Sequence, residues 1–161
     1  MKNFIVDFSE FDEHKIVCGR TEIERLNPHR FELSLLDGIL FEDWESGRFV
    51  GFHDVRDDEF WVRGHFPNFP LMPGVLICET AAQLCSYFAT KAKVFDSRII
   101  ALGGLDEIRF RAPVRPGNRL ITMLKRERAR ENVMISGRFQ CYVNRELACD
   151  GLIKGVGIRA S

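Results

Sequence analysis

Residues 75–92, VLICETAAQLCSYFATKA, constrain this chain more than any other stretch, because the run has the length of a helix and is apolar on nearly every face. Such a helix has no side suited to water, so the rest of the chain must enclose it. Pro73 and Gly74 stand at its start, where missing or free backbone donors are tolerated, and Lys91 and Lys93 lie near its end, where cations suit the helix dipole. Glu79 is the one charge before Lys91. Gln83, four residues on, shares its face. A carboxyl on such a helix costs free energy unless it is paired or holds a proton, so Glu79 and Gln83 are candidate functional residues.

The segment leading into this run, GHFPNFPLMPG at 64–74, carries three prolines and a histidine. Pro67, Pro70 and Pro73 each fix φ and remove a donor, which excludes a helix or a central strand and stiffens the loop that carries His65. One titratable group, His65 or Glu79, then stands at each end of the bend.

Whole-chain properties narrow the reading. The length of 161 residues and a hydrophobic content of 45%, with no linker-like break, predict one domain over residues 1–161. Twenty-three basic and twenty-three acidic side chains cancel, which argues against nucleic-acid binding driven by bulk charge. The first fifteen residues meet an acid at Asp7 without a sustained apolar run, and the longest apolar run is interrupted by Glu79 and Gln83. Neither a secretory leader nor a membrane span is expected, and a cytoplasmic location fits. Cysteines 18, 78, 85, 141 and 149 are odd in number and form no CxxC, so they read as core thiols in a reducing compartment. Histidines 14, 29, 53 and 65 show no metal-binding spacing.

Along the chain, Thr21 to Glu24 has the form of a capping box opening a short helix that stops near Asn27, before Pro28. Strand-like runs follow at 31–41 and 48–55 around a turn at 42–47, and after the long helix at 99–102, 107–112, 119–128, 133–144 and 146–158. Turn signals stand at Pro116-Gly117-Asn118, Glu131-Asn132 and Asn144-Arg145. These alternating runs predict a mainly antiparallel sheet with one dry face, wrapped around one long central helix in an α+β architecture that leaves apolar surface for pairing.

The GHFP at 64–67, the PG at 73–74, the spacing from His65 to Glu79, and Gln83 resemble the motif of the beta-hydroxyacyl-acyl carrier protein dehydratases of fatty-acid synthesis. Three further stretches agree in order: LNPHRFELSLLDGIL at 26–40, LGGLDEIRFRAPVRPG at 102–117, and the closing strands through Gly157. The resemblance covers some 130 residues. It implies a hot-dog fold, a cofactor-free dehydratase working as a homodimer or a trimer of dimers, and a substrate borne on an acyl carrier protein. Asn68-Phe69 and Thr80-Ala81 depart from the family pattern, which bears on pocket shape more than on chemistry.

By that resemblance, His65 is the base for the α-proton of a 3-hydroxyacyl thioester and Glu79 of the partner subunit supplies a proton to the leaving hydroxyl. The backbone N–H groups of Gly74 and Val75 would receive the thioester oxygen. Gln83 supports Glu79, and His29, within a family-like Pro-His-Arg, reads as a cap or packing residue. Tyr87 and Phe88 read as core. Lys125, Arg126, Arg128 and Arg130, with Arg109, Arg111 and Arg115 on neighbouring segments, form a candidate docking patch for an acidic carrier, diluted by Glu127 and Glu131. Rival readings are a dehydratase that also moves the double bond, whose members usually carry Asp where Glu79 stands, a hot-dog thioesterase, and an acyl-binding protein without catalysis.

Overall fold

The structure, a computed structural model, describes residues 3–96 and 99–159. Seven strands form one fully antiparallel sheet: β1 (Cys18–Gly19), β2 (Gly38–Asp43), β3 (Arg48–Asp54), β4 (Ile99–Phe110), β5 (Arg119–Arg130), β6 (Met134–Val143) and β7 (Glu146–Ile158). Their spatial order is β1-β2-β3-β5-β6-β7-β4. The helix α1 (Arg20–Leu26) is short, and α2 (Gly74–Lys91) is the long apolar element. The sheet curls around α2, which touches β3, β5, β6, β7 and β4 in turn. This is the hot-dog arrangement. Among the described residues no helix is long and apolar enough to cross a membrane.

Turn chemistry explains the closing meander. Asn118 N–H donates to the Arg115 carbonyl at 3.0 Å across Pro116-Gly117, with Gly117 at φ +89°, the backbone that a type II turn demands of its third residue. Asn144 and Arg145 both take positive φ, as the hairpin between β6 and β7 requires.

Four expectations need correction. Thr21 does not cap α1: pairing of Gly19 with Gly38 ends β1 so late that Gly19 becomes the cap position, without a side-chain bond, and Thr21 already lies inside the helix. Residues 31–37 are no strand: Phe31–Leu33 make a 3-10 turn, and Leu35 N–H is drawn to Gln83 Oε1 (2.9 Å), so β2 begins at Gly38. The runs at 99–102 and 107–112 are one strand, β4, bent by bulges after Leu102 and Asp106, and it ends at Phe110.

The sheet also has two dry faces over its middle. Phe49, Leu120, Leu124 and Phe139 point at α2, while the alternate residues Val50, Phe52, Ile121, Met123 and Tyr142 build a second core on the outer face. Residues 4–11 cover that face. Val6 is fully buried, Phe8 meets Tyr142 edge-on at 5.5 Å, and Ile5 N–H donates to Gln140 Oε1 at 2.8 Å.

Candidate active site

The loop between β3 and α2 holds His65 by its backbone and its ring together. His65 N–H donates to the Trp61 carbonyl (2.8 Å), and Leu71 N–H donates to the His65 carbonyl (2.8 Å). The ring Nδ1 lies 2.7 Å from the Leu71 carbonyl. A carbonyl only accepts, so Nδ1 carries a proton and is the donor. Phe66 and Phe69 close a tight turn by exchanging backbone bonds of 3.0 and 2.9 Å, with Asn68 at φ +62°, and the Phe66 ring stacks on His65 at 4.1 Å. The prolines thus act as expected: they leave few backbone donors, and those that remain pin the histidine.

His65 borders an open, mainly apolar cleft together with Met72, Gly74, Val75, Phe110 and Val114. Met72 N–H donates to the Val114 carbonyl at 2.8 Å, tying the loop to the segment after β4. Pro73 caps α2 without a side-chain bond, and its carbonyl accepts from Leu76 and Ile77. Among the described residues, the N–H groups of Gly74 and Val75 have no protein acceptor, so the positive end of the helix faces the cleft with two donors free. At Gly74 a Cβ would stand 2.7 Å from the Phe110 ring, so glycine lets that ring pack against the helix start.

Glu79 is less enclosed than its helix suggested. Its side chain is 27% exposed, and Val75, one turn earlier, is 74% exposed, so α2 has one uncovered stripe. Gln83 Nε2 donates to Glu79 Oε1 (2.9 Å) and the Leu33 carbonyl (2.6 Å), which satisfies both its N–H groups and fixes one carboxylate oxygen. The supporting contact expected of Gln83 is present. His65 and Glu79 share no hydrogen bond or ion pair within the chain.

His29, read from sequence as a cap or packing residue, lies beside Glu79. Its Nε2 lies 3.4 Å from Glu79 Oε1, and its Nδ1 is buried without a partner among the described residues. Burial pushes the imidazole below its ordinary value, against the pull of Glu79. The Pro28-His29-Arg30 motif was a usable signal. The fold delivers it, through the 3-10 turn, to the face of α2 that carries Glu79.

Lys125, Arg126, Arg128 and Arg130 do not line this cleft. Arg126 lies over the Phe88 ring (5.8 Å) near the last turn of α2, and at 18 residues the helix spans roughly 27 Å at 1.5 Å per residue. Arg111 and Arg115 are closer. Arg111 lines the cleft while paired to Asp150 (2.7 Å), and Arg115 stacks on Phe69 at 4.9 Å. All five cysteines are free and buried, and Tyr87 and Phe88 are core, as the sequence led us to expect.

The arrangement offers an imidazole anchored through Nδ1, a pair of helix amides at the cleft it borders, and a carboxyl held by one oxygen on the open stripe. The comparisons with known proteins speak to the chemistry such groups could share. A FabA-like domain matches residues 27–151. A 3-hydroxyacyl-[acyl-carrier-protein] dehydratase FabZ of Clostridioides difficile is 37% identical over 131 residues, covering 81% of this chain and 90% of that protein. Its counterpart in Geobacillus thermodenitrificans is 36% identical over 129 residues, with coverage of 80% and 88%. Among solved structures, the dehydratase heterocomplex ApeI:P of Xenorhabdus doucetiae aligns with a TM-score of 0.72 at 15% identity, covering 85% of this chain and 91% of that one. A sigma28-regulated virulence protein of Campylobacter jejuni aligns at 0.63 with 12% identity and coverage of 92% and 96%. At these identities the structural matches speak for the fold alone.

Proposed function

The chain belongs to the FabA-like domain family, and on that premise we propose that it removes water from 3-hydroxyacyl-acyl carrier protein to give the trans-2-enoyl product in fatty-acid synthesis. The observation that carries this reading is the His65 ring: Nδ1–H is committed to Leu71, so Nε2 is left as a base at the mouth of an apolar cleft beside two free helix amides. Nε2 takes the α-proton. The freed electron pair forms the carbon–carbon double bond as the β-carbon–oxygen bond breaks, and the hydroxyl leaves with a proton from Glu79. The amides of Gly74 and Val75 hold the negative charge that gathers on the thioester oxygen, a type of contact worth about 3 kcal/mol.

His65 and Glu79 come together across a homodimer in this reading. The stripe of α2 carrying Val75 and Glu79, with the exposed apolar residues Leu102, Leu105 and Phe110 of the edge strand β4, is the surface a second copy would cover. Higher assemblies are dimers of this kind joined again.

The test is turnover of 3-hydroxyacyl thioesters of graded chain length by the purified protein, followed by subunit exchange between His65→Ala and Glu79→Gln. Mixed dimers that regain activity support a shared site, and failure to complement despite exchange seen by mass spectrometry overturns it. For the carrier, charge reversal at Arg128 and Arg130 is set against reversal at Arg115. Whichever group docks the acidic carrier should raise KM for carrier-bound substrate at low salt and leave a small thioester untouched.

A further inference from the structure

His53 belongs to none of the motifs above, yet its side chain is 1% exposed and both ring nitrogens face carboxylates. Nδ1 is 3.0 Å from Asp37 Oδ2, and Nε2 is 2.8 Å from Glu59 Oε1. A neutral imidazole has one N–H and would set a lone pair against one of those oxygens. The carboxylates are poorly placed to hold the missing proton. Asp37 Oδ2 already accepts from Asp54 N–H (2.7 Å) and its Oδ1 from Arg20. Glu59 Oε1 accepts from Arg56 N–H (2.9 Å), and its Oε2 from the Trp61 indole (2.9 Å). The geometry is that of an imidazolium donating both ways. Burial by itself would lower the His53 value, but the bonds to Asp37 and Glu59 outweigh it and hold the ring at about 9. Of the charges on neighbouring elements, Arg20 of α1 is engaged by Asp37, and Arg119 of β5 is taken by Asp54 at 2.7 and 2.8 Å.

The far end of this network is the His65 loop. Glu59 fixes the indole of Trp61, a side chain buried in the main core, and the Trp61 carbonyl accepts from Gly64 N–H (3.2 Å) and His65 N–H (2.8 Å). We propose that His53 is a positioning residue for His65: its imidazolium anchors Glu59, Glu59 anchors Trp61, and Trp61 sets the backbone that aims Nε2 into the cleft. It touches no substrate, and the inference rests on the reading of His65 as the base. Because the ring's folded value lies above its ordinary 6.5, the clamp is complete below that pH and is lost as pH rises through about 9.

The experiment compares His53→Gln, which cannot carry charge, with His53→Lys, whose ordinary value near ~10.4 keeps the cation to higher pH. Misplacing a catalytic base by small amounts costs on the order of 10- to 100-fold, so His53→Gln should lose about that much in kcat at neutral pH with KM little changed. His53→Lys should recover most of the loss and stay active where the native enzyme fades on the alkaline side. Nitrogen-15 NMR supplies a readout independent of turnover: the native His53 ring should carry two protons at neutral pH, and the Trp61 indole and His65 amide signals should shift together as it titrates. If His53→Gln proves unstable, Glu59→Gln tests the middle link by the same readouts. Unmoved His65 and Trp61 signals in a folded variant, or a singly protonated His53 at neutral pH, would overturn the clamp. Absence of turnover in the native protein would instead overturn the functional reading, while the NMR arm still judges the clamp.

Discussion

The first and last turns of α2 are made from the same apolar run and end differently. At its start, two backbone donors have no protein acceptor among the described residues, Val75 is exposed, and Glu79 is held by one oxygen on an open stripe. At the last, the Tyr87 hydroxyl donates to Glu42, Lys91 reaches Glu42 at 3.0 Å and Tyr87 at 2.8 Å, and the Trp44 indole completes the carboxylate at 3.1 Å. Trp44, Phe49 and Phe88 close over this cluster with ring centroids 4.7 to 5.5 Å apart. The closed end is tied into the core by these contacts, whereas the open end borders the cleft. In the proposed reading of the site, function and stability are separated along one element.

Substitutions at the two ends should therefore move different observables. The largest effect belongs to Phe88→Ala, which empties a 1%-exposed site in the core and should cost about 3–5 kcal/mol in denaturant unfolding. Turnover per folded molecule should hold, and a matching loss of kcat would break the separation. Next comes His65→Ala. A loss of about 100-fold in kcat, or about 2.7 kcal/mol on the barrier, should occur with an unchanged melting temperature. A large fall in melting temperature would mean that the loop is part of the anchor.

The smallest effect is that of Tyr87→Phe, about 1–2 kcal/mol of stability for the two hydrogen bonds its hydroxyl makes, one donated to Glu42 and one accepted from Lys91. It also has a pH signature. Burial by itself would raise the Glu42 carboxyl, but hydrogen bonds from Tyr87, Lys91 and Trp44 outweigh it and keep it below 4.5. The stabilisation from Glu42 is therefore present above that value and lost as pH falls through the lower folded one, so native and variant melting curves should converge in acid. A difference that stays constant down to low pH would show that packing, not this carboxylate, sets the effect.

Much of the site was legible because its information is local. Three prolines in seven residues dictate a stiff loop wherever they occur, and the periodicity of α2 places Gln83 beside Glu79 without reference to any other element. The exposure of Glu79 was not legible. Burial of a helix face depends on what lies opposite, and one chain leaves that stripe uncovered. The contact of His29 with Glu79 spans fifty residues and passes through a 3-10 turn that the strand-like run at 31–41 concealed.

The sequence by itself determined the elements that depend on near neighbours: an enclosed helix, a meander of hairpins with turns where Gly117, Asn132 and Asn144 permit positive φ, and a histidine on a rigid loop. Tertiary structure decided what depends on elements distant in the chain. It gave the sheet a second dry face, because residues 4–11 fold back over alternate side chains of β3, β5 and β6 that a period-2 pattern would leave to water. It also brought Asp37, sixteen residues away, to the second ring nitrogen of His53, whose first faces the nearby Glu59. Propensity and periodicity act over one or two turns of chain, whereas burial and charge pairing act through space, and only the folded chain specifies which residues share that space.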